Sequence, residues 1–343
     1  MQKKYNIGIL GATGEVGRQM LKVLEEYQFP VGELRLFASK NSIGKSITFQ
    51  GKEYFVTEAK PESFTRLDFV LGATSNDIAR SYKDSIVKAK AIFIDNSSAF
   101  RLDKDIPLVI PEINPEDALK NKGVIANPNC STILALMAIH GIEKLSKIQA
   151  MSVTTYQATS GAGALGPQEL SEQMAAIVHN QKIEPHIFPY PIALNVIPQI
   201  GSFLDNGYTT EEMKMQNEGR KILHREDLNI SCTCVRVPVV RSHSIAIELI
   251  TEEELSIEAV KEAIQGHAGC RLYDDPEQKL YPMPLLTSNQ DLVYVGRIRK
   301  SLLHSHGIVL WCSGDQVRKG AASNAVQIMM KLIGLEPLGG SIC

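Results

Sequence analysis

The chain has 343 residues, of which 44% are hydrophobic and 22% are charged, and its formal net charge is −2. This composition is typical of a globular protein, and the length suggests two domains. The nearly balanced charge argues against nucleic acid or an acidic membrane as a partner, and six cysteines in a chain of this length do not make a disulfide framework.

The start of the chain shows no sign of a targeting or membrane segment. Two lysines lead directly into the strand-like run Tyr5–Leu10, which is too short for the apolar core of a signal peptide. The sequence also lacks the run of about 18 apolar residues that a membrane-spanning helix needs. We therefore expect a soluble, cytoplasmic protein without a membrane partner.

The first half of the chain alternates strand-like and helix-like segments. Six short apolar runs with polar or turn flanks predict strands at Tyr5–Leu10, Leu34–Ala38, Leu67–Ala73, Ala91–Asp95, Leu108–Ile110 and Val124–Ala126. Between the first two, Glu15–Tyr27 has apolar residues at helical spacing. This alternation predicts an α/β fold, with a Rossmann-type, doubly wound parallel sheet over residues 1–128.

From about residue 148 the pattern changes to longer β-rich stretches. They predict strands at Ala150–Gln157, Ile230–Val240, Ser244–Ile250, Leu292–Ile298 and Ile308–Ser313. Helices are predicted between them at Gln168–Gln181, Glu211–Leu223 and Ile257–Gln265. We expect a second, α+β domain with a largely antiparallel sheet over residues 129–315. A final helix over Gln316–Ile333, in the segment 316–343, is expected to complete the first domain.

A glycine-rich turn joins the first predicted strand to the first predicted helix. It reads Gly8-Ile9-Leu10-Gly11-Ala12-Thr13-Gly14-Glu15-Val16-Gly17. Glycines at such a turn let the backbone approach a pyrophosphate at the N-terminus of the helix. The G-x-x-G-x-x-G spacing is looser than the standard fingerprint, but its place between a strand and a helix supports a dinucleotide site. The predicted cofactor contacts are Gly11, Ala12, Thr13, Gly14, Glu15 and Val16.

The end of the second predicted strand bears on the choice of dinucleotide. It reads Phe37-Ala38-Ser39-Lys40-Asn41-Ser42. NAD sites usually have an acidic residue here, which binds the ribose 2′-hydroxyl, and this stretch has none. Ser39 and Lys40 suit a 2′-phosphate instead, although a solvated loop would have the same composition. The sequence therefore favours NADP over NAD as the cofactor.

The hexapeptide Asn127-Pro128-Asn129-Cys130-Ser131-Thr132 precedes an apolar, helix-like run. A cysteine in the first turn of a helix lies at the positive end of the helix dipole, which favours the nucleophilic thiolate. Taken alone, Cys130 has a more ordinary explanation, because free cysteines are usually buried and inert. A nucleophilic cysteine would need a base, a partner for the oxyanion and groups that orient the substrate.

Polar residues that could serve such a nucleophile occur near the ends of predicted elements. They are Arg101, Gln157, Glu211, Lys214, Arg236 and His243. Each also has a structural explanation. Glu211 and Lys214, at i, i+3 on one helix face, would make an ordinary exposed ion pair. His243 would be an unremarkable residue at a strand end, and the stem of Arg101 would cover apolar surface.

Together these motifs resemble the aspartate-β-semialdehyde dehydrogenase family, in its bacterial form, over essentially the whole chain. The motifs that carry the resemblance are Gly11–Gly17, Asn127–Thr132, Gln157–Gly163, Glu211–Met215 and Arg236–His243. It implies NADPH-dependent reductive dephosphorylation of L-aspartyl-4-phosphate to L-aspartate-4-semialdehyde through a Cys130 thioester. It further implies a place in lysine, threonine, methionine and diaminopimelate biosynthesis, and a homodimer whose catalytic and dimerisation domain spans residues 129–315.

The resemblance also implies a role for each candidate residue. His243 would act as general acid/base, a role that suits an imidazole with a pKa near neutrality. Gln157 would position the substrate or thioester oxygen, Arg236 would bind the α-carboxylate bidentately, and Glu211 would contact the ammonium group. The implied phosphate pocket consists of Arg101, Asn129 and Lys214. The implied cofactor contacts from the second domain are Ser160, Gly161 and Gln316.

Other functions remain open from the sequence. An N-acetyl-glutamyl-phosphate reductase shares this chemistry, but its substrate has no free ammonium, so Glu211 beside Lys214 favours the aspartyl substrate. A cysteine hydrolase or acyltransferase without redox chemistry would not need the dinucleotide turn, and a non-catalytic dinucleotide-binding regulator would not need Cys130. Cys232 and Cys234 are too close for a zinc-ribbon motif, and no metal is predicted.

Overall fold

The computed structural model describes residues 3–335 of the chain. The chain divides into two compact units. Cys130–Gly320 forms one unit, and the chain before it forms the other together with the segment from Ala321 onward. The domain limits expected from the sequence, at 128/129 and 315/316, lie close to these. Within the described residues, no helix is long and apolar enough to cross a membrane.

The first unit contains a seven-stranded sheet. Up to residue 126 its elements are β1 (Tyr5–Leu10), α1 (Glu15–Glu26), β2 (Val31–Ala38), β3 (Ser46–Phe49), β4 (Lys52–Glu58), β5 (Phe69–Gly72), α2 (Asn76–Lys88), β6 (Ile92–Asp95), α3 (Pro115–Ala118) and β7 (Val124–Ala126). The strand order is β3-β4-β2-β1-β5-β6-β7. All neighbours are parallel except the hairpin β3–β4 at one edge. This is the predicted Rossmann-type sheet, with its topological switch point between β1 and β5.

The second unit contains a six-stranded sheet. Its elements are α4 (Cys130–Leu145), β8 (Ile148–Gln157), α5 (Leu165–Val178), α6 (Thr210–Leu223), β9 (Asn229–Arg236), β10 (His243–Thr251), α7 (Ile257–Gln265), β11 (Cys270–Leu272), α8 (Pro284–Thr287), β12 (Val293–Lys300) and β13 (Gly307–Gly314). The strand order is β11-β12-β13-β10-β8-β9. The three central pairings are antiparallel, as predicted, whereas the outer pairings β11–β12 and β8–β9 are parallel.

One face of the second sheet packs on α4. This helix is buried almost continuously over residues 131–142, as expected for a helix that is apolar all round. Strand β8 alternates, so that Thr155 and Gln157 are buried while Thr154 and Tyr156 on the other face are partly exposed. From Met151 onward, the odd-numbered residues of β8 therefore lie on the buried side of the sheet, on which α4 packs.

The chain re-enters the first unit at Ala321 and forms α9 (Ser323–Leu332). The helix predicted from Gln316 is present from residue 318, but its first part, Arg318–Ala322, is a wide π-type turn that runs directly into α9. The Asp315 carboxylate accepts the backbone N–H groups of residues 317 and 318 and so caps the start of this π-type turn. Residues 336–343, which include Cys343 and the end of the predicted C-terminal segment, lie outside the described residues.

One predicted strand is also wrong. Leu108–Ile110 makes only an isolated bridge, between Leu108 and Ala126. The side chain of Asn114 takes up the backbone groups of this segment: Nδ2 donates to Leu108 O, and Oδ1 accepts from Ile110 N. Local capping thus replaces a strand ladder. The hairpin β3–β4, helix α2 and the short strand β11 were not predicted.

Candidate functional site

The glycine-rich turn after β1 has the backbone geometry that a dinucleotide site needs. Gly11 has φ of +90°, and a Cβ on it would lie 2.3 Å from Ala73 O. A Cβ on Gly17 would lie 2.3 Å from Gly11 O. Both positions therefore require glycine. Helix α1 starts directly after this turn, and Gly14 at its N-cap has no side chain to cap it, so its first N–H groups are suited to an anion.

A buried hydroxyl next to this turn also fits a ligand. Thr74 follows β5, and its Oγ1 has no hydrogen-bond partner among the described residues. A Cβ on Gly11 would lie 3.0 Å from the Thr74 Cγ2, so the two residues are neighbours at the switch point. Buried polar groups are normally paired, and a bound dinucleotide offers hydroxyls and phosphates. Thr74 is not among the residues predicted from the sequence, although its place just after a predicted strand is a usable signal.

Ser39 and Lys40 follow β2 at the same edge of the sheet. The hydroxyl of Thr13, in the glycine turn, donates to Ser42 Oγ at 3.4 Å, so the two predicted cofactor segments meet. Lys40 Nζ lies 3.8 Å from Glu58 Oε1, an exposed and therefore weak ion pair. Glu58 is the last residue of β4. It supplies an acidic group near Lys40, whereas the stretch after β2 contains none.

Cys130 is the first residue of α4 and is partly exposed. Its Sγ lies 3.6 Å from Nε2 of His243. A Cβ on Gly320 would lie 2.9 Å from the Cys130 Cβ, so this glycine leaves room for the cysteine. The structure thus brings the predicted nucleophile into contact with the predicted acid/base.

Three of the candidate residues meet because of strand topology. Gln157 ends β8, Arg236 ends β9, and His243 begins β10. Since β8 and β9 are parallel, with Gln157 paired to Arg236, and β10 runs antiparallel to β8, all three lie at one end of the sheet. Their exposed fractions are 2%, 6% and 0%. The end of the sheet next to Cys130 therefore carries a buried polar cluster.

The backbone determines which nitrogen of His243 carries hydrogen. The N–H of Ala158 donates to His243 Nδ1 at 3.1 Å. Because a backbone N–H can only donate, Nδ1 accepts, and the neutral imidazole carries its hydrogen on Nε2, the atom that contacts Cys130. Burial, followed by the positive charge of Arg236, lowers the pKa of His243 to about 3. This value lies well below the near-neutral pKa expected from the sequence and favours the neutral imidazole.

Gln157 lies between the sheet and helix α6. Thr155 Oγ1 donates to its Oε1 at 3.0 Å, and its Nε2 donates to Glu211 Oε1 at 3.3 Å. The same Nε2 lies 3.5 Å from Nε2 of His243. Lys214 Nζ donates to Glu211 Oε2 at 2.7 Å. Glu211 is therefore not merely half of an exposed helix pair, because it links Lys214 to the polar cluster.

Arg236 is held by backbone and aromatic contacts. Its Nη1 donates to Ala158 O at 2.6 Å, and its guanidinium carbon lies 5.7 Å from the centre of the Phe188 ring. Its own N–H and C=O both pair with Ile197. Burial lowers the pKa of Arg236, but a guanidinium remains charged at any physiological pH. A buried cation at this place is suited to a carboxylate.

The candidate cofactor residues of the second unit lie beside this cluster. Ser160 and Gly161 form the turn after β8, and Gln316 follows β13. Gln316 Nε2 donates to Ser160 Oγ, and its Oε1 accepts the N–H of Ser242 at 2.9 Å. A Cβ on Gly161 would lie 2.8 Å from Nη1 of Arg236. Glycine at this position therefore keeps the space beside the cluster open.

The three residues of the predicted phosphate pocket belong to different units. Arg101 and Asn129 are buried in the first unit. Arg101 Nε donates to Asn127 O at 2.9 Å and its Nη2 donates to Asn96 O at 2.7 Å. Arg101 therefore ties the loop after β6 to the segment that leads into Cys130. Lys214 belongs to the second unit, and phosphate binding by these three residues stays a prediction.

The C-x-C pair lies in β9, with both side chains on one face. Cys232 and Cys234 are buried, and their sulfur atoms are 3.8 Å apart. Among residues 3–335 there is no group of three or more His, Cys, Asp or Glu side chains that could hold a metal ion. The pair is part of the packed sheet.

Comparison with known proteins shows which family contains this chain. The semialdehyde dehydrogenase NAD-binding domain matches residues 6–121, and the semialdehyde dehydrogenase dimerisation domain matches residues 139–319. The chain is 46% identical over 333 residues to aspartate-semialdehyde dehydrogenase from Aquifex aeolicus, covering 96% of this chain and 98% of that one. The chain belongs to the aspartate-semialdehyde dehydrogenase family. The Bacillus subtilis family member is 44% identical over 340 residues, with coverage of 97% and 98%.

Solved structures of the aspartate-semialdehyde dehydrogenase family share the fold. Aspartate semialdehyde dehydrogenase II from Vibrio cholerae, complexed with ASA, superposes with a TM-score of 0.95 at 40% identity and covers 97% of this chain and 99% of that one. The Candida albicans family member, solved with NADP, gives a TM-score of 0.76 at 24% identity over 96% of this chain and 99% of that one, a likeness of fold alone. The family and the oxidoreductase class predicted from the motifs are confirmed.

Proposed function

We propose that this protein catalyses the reversible, NADPH-dependent reductive dephosphorylation of L-aspartyl-4-phosphate to L-aspartate-4-semialdehyde. The observation that carries the proposal is the contact of 3.6 Å between Cys130 Sγ and His243 Nε2. A thiol at the start of a helix, beside an N–H donor, is equipped to become an acyl carrier. The pathway we propose is the one that leads to lysine, threonine, methionine and diaminopimelate.

Cys130 is the nucleophile of this reaction. Its thiolate attacks the acyl carbon, a carbon–sulfur bond forms, and the bond from carbon to the phosphate oxygen breaks, so that phosphate leaves with the electron pair. The Nε2–H of His243 stabilises the thiolate as a hydrogen-bond donor. The amide nitrogen of Gln157 lies beside it and is suited to the developing oxyanion. When bound, the cofactor supplies the hydride that reduces the thioester.

His243 acts first as a donor and not as a base. To take up a second proton, its Nδ1 would have to give up the N–H of Ala158 that it accepts at 3.1 Å. The reductive direction does not require that step, because the hemithioacetal oxyanion on Cys130 collapses directly to aldehyde and thiolate. The acid/base role implied by the family resemblance therefore requires that His243 Nδ1 first lose its hydrogen bond from the N–H of Ala158.

The remaining candidates bind the charged groups of the substrate. We assign the α-carboxylate to Arg236 and the ammonium to Glu211, because a buried guanidinium and a carboxylate at one cluster complement an amino acid. Lys214, Arg101 and Asn129 are assigned to the phosphate. This division explains why Glu211 and Lys214 are paired before substrate enters, since each neutralises the other.

The cofactor is assigned to the glycine turn and the residues that follow β2. Residues Gly11, Ala12, Thr13, Gly14, Glu15 and Val16 would hold the pyrophosphate, and Ser39 with Lys40 would hold the 2′-phosphate of NADP. Ser160, Gly161 and Gln316 are the proposed contacts from the second unit. The support is the steric demand for glycine at positions 11 and 17 and the cationic, acid-free stretch after β2.

We also propose a cytoplasmic homodimer. The chain contains the semialdehyde dehydrogenase dimerisation domain over residues 139–319. The sheet face opposite α4 is only partly buried at Thr154, Tyr156, Ala246 and Trp311. A cavity of about 350 Å³ opens on this face and is lined in part by Ala246 and Trp311. A second copy covering this face is the simplest use for a sheet surface left half-exposed.

The decisive assay is the phosphate-dependent reduction of NADP by aspartate semialdehyde, compared directly with NAD. We expect activity to require phosphate, to be lost in Cys130→Ser, and to favour NADP at least tenfold in kcat/KM. Lys40→Ala should narrow that preference, because it removes the cation proposed for the 2′-phosphate. Activity with N-acetyl-glutamyl phosphate alone, or acid release without NADPH oxidation, would refute the proposal.

A further inference from the structure

We propose that Thr155 is a positioning residue for catalysis, which holds the amide of Gln157 so that its nitrogen lies beside Nε2 of His243, the atom that contacts Cys130. This inference rests on the proposed function, because it presupposes that Gln157 assists the reaction. Thr155 lies two residues before Gln157 on β8, so both side chains are on the face that packs on α4. Neither the sequence motifs nor the family resemblance pointed to Thr155.

The hydroxyl of Thr155 donates its hydrogen bond to the side chain of Gln157. Thr155 is completely buried, and its Oγ1 donates to Gln157 Oε1 at 3.0 Å. On the neighbouring strands it pairs with Ile245 and Cys234, whose side chains offer Oε1 no comparable donor. The Thr155 hydroxyl is the hydrogen-bond donor that the described residues provide to this oxygen.

Glu211 determines the other end of the amide. Gln157 Nε2 donates to Glu211 Oε1 at 3.3 Å, and a carboxylate oxygen can only accept. If the amide were reversed, its oxygen would face the carboxylate and two acceptors would meet. Thr155 and Glu211 therefore act on opposite ends of the Gln157 amide and select the same orientation.

This orientation places two donors side by side. Gln157 Nε2 lies 3.5 Å from His243 Nε2, and both nitrogens carry hydrogen, so the contact is not a hydrogen bond between them. Both N–H groups are instead placed to donate to a substrate oxygen that binds next to Cys130. Without the Thr155 hydroxyl, Gln157 Oε1 is buried and has no hydrogen-bond donor. The amide then rotates until this oxygen accepts a hydrogen bond from another donor. The second donor is then misaligned.

The test compares Thr155→Val, Thr155→Ser and Gln157→Met in the phosphate-dependent reduction of NADP. Thr155→Val keeps the shape but cannot donate. We expect it to lower kcat about tenfold, a part of what the loss of a whole oxyanion donor costs, with little change in KM. Thr155→Ser restores the hydroxyl and should stay within about threefold of the unmodified enzyme. The rate of Cys130 alkylation by iodoacetamide should not change, since the contact with His243 is intact.

Thr251→Val is the matched control. Thr251 is also completely buried in this sheet, but its hydroxyl donates only to backbone carbonyls, of residues 253 and 306. It should lower thermal stability without changing kcat. An equal fall in kcat for Thr251→Val and Thr155→Val would show that loss of any buried hydroxyl is enough, and would overturn the inference.

A double-variant cycle separates this inference from the proposed function. If Thr155 acts through Gln157, then Thr155→Val added to Gln157→Met lowers kcat no further. Normal turnover in Gln157→Met would overturn the role of Gln157 in the proposed function. A slow Gln157→Met enzyme together with normal Thr155→Val turnover, or multiplicative losses in the double variant, would overturn the role of Thr155 alone.

Discussion

His243 shows how one backbone contact changes the chemistry of a side chain. The Ala158 N–H at Nδ1 and complete burial together favour a neutral imidazole with its hydrogen toward Cys130. An ordinary histidine would titrate near pH 6.5. The lowered pKa of about 3 means that His243 gains no charge between pH 5 and 8. Its contribution to the site is then a fixed dipole, the kind of preorganised group that costs no rearrangement during reaction.

This tautomer leads to a prediction about pH. The rate of Cys130 alkylation should rise with pH in a single step that belongs to the thiol, with no inflection near pH 6.5. His243→Asn, which keeps a donor but cannot titrate, should give a profile of the same shape. The measurement is the iodoacetamide rate from pH 5 to 9. An inflection near pH 6.5 that disappears in His243→Asn would show that the imidazole ionises there.

At the scale of elements, the first turn of α1 depends on two glycines that touch each other. The Cβ of any other residue at Gly17 would lie 2.3 Å from Gly11 O, a contact that backbone atoms can relieve only by moving. The helix would then shift away from the turn that presents its N–H groups. Helix position and anion binding are therefore coupled at this one contact.

We predict that Gly17→Ala weakens NADPH binding at least tenfold and destabilises the first unit by about 1–3 kcal/mol. Binding is measured by the fluorescence of NADPH, and stability by urea unfolding. Lys22→Ala, at an exposed position of the same helix, should change neither. The Cys130 alkylation rate should be unaffected, because that residue belongs to the other unit. NADPH binding at full strength in Gly17→Ala would contradict this account of the turn.

At the scale of the whole molecule, stability should depend on pH through a buried histidine pair. His140 on α4 and His267 after α7 have ring centres 5.1 Å apart. Burial lowers the pKa of each to about 4, helped by the charges of His267 and Lys144 at His140 and by those of Lys144 and Lys319 at His267. Unfolded histidines titrate near 6.5, so the unfolded chain binds more protons between these values. The folded state is therefore stabilised above pH 6.5 and loses this stability as pH falls toward 4.

The expected result is a larger loss of urea stability between pH 8 and 5 for the natural chain than for His140→Gln/His267→Gln. The difference should be roughly 2 kcal/mol for each group, and less than twice that for the two together, because solvent partly screens the pair. Carboxylates that titrate in the same range are present in both proteins and cancel in the comparison. Parallel stability curves for the two proteins would show that the pair is solvated enough to titrate normally.

The assembly can be tested at the sheet face opposite α4. Thr154→Arg places a charged side chain on this face and should convert the proposed dimer into a monomer. Light scattering coupled to gel filtration measures the change. Ser81→Arg, on the exposed side of α2, is the matched control and should leave the mass unchanged. A dimeric Thr154→Arg protein would place the interface on another surface.

The spacing of residues that are close together in the sequence was enough to predict several features of this protein. The glycine turn, the nucleophile candidate at a helix start and the βα alternation all depend on neighbouring residues, and so could be predicted from the sequence. Leu108–Ile110 was mispredicted because Asn114 caps its backbone, which an apolar run does not reveal. The helix expected from Gln316 begins with a π-type turn capped by the Asp315 carboxylate, which apolar spacing does not reveal.

Tertiary structure decided how the candidates act on one another. Cys130 and His243 are 113 residues apart in the chain, and only the pairing of β8 with β9 and β10 brings Gln157 to the same place. The hydrogen on His243 Nε2 and the orientation of the Gln157 amide follow from contacts with Ala158, Thr155 and Glu211. Residue types along the chain indicate which chemistry is available. Hydrogen-bond direction and burial, which exist only in the folded chain, decide how each group uses it.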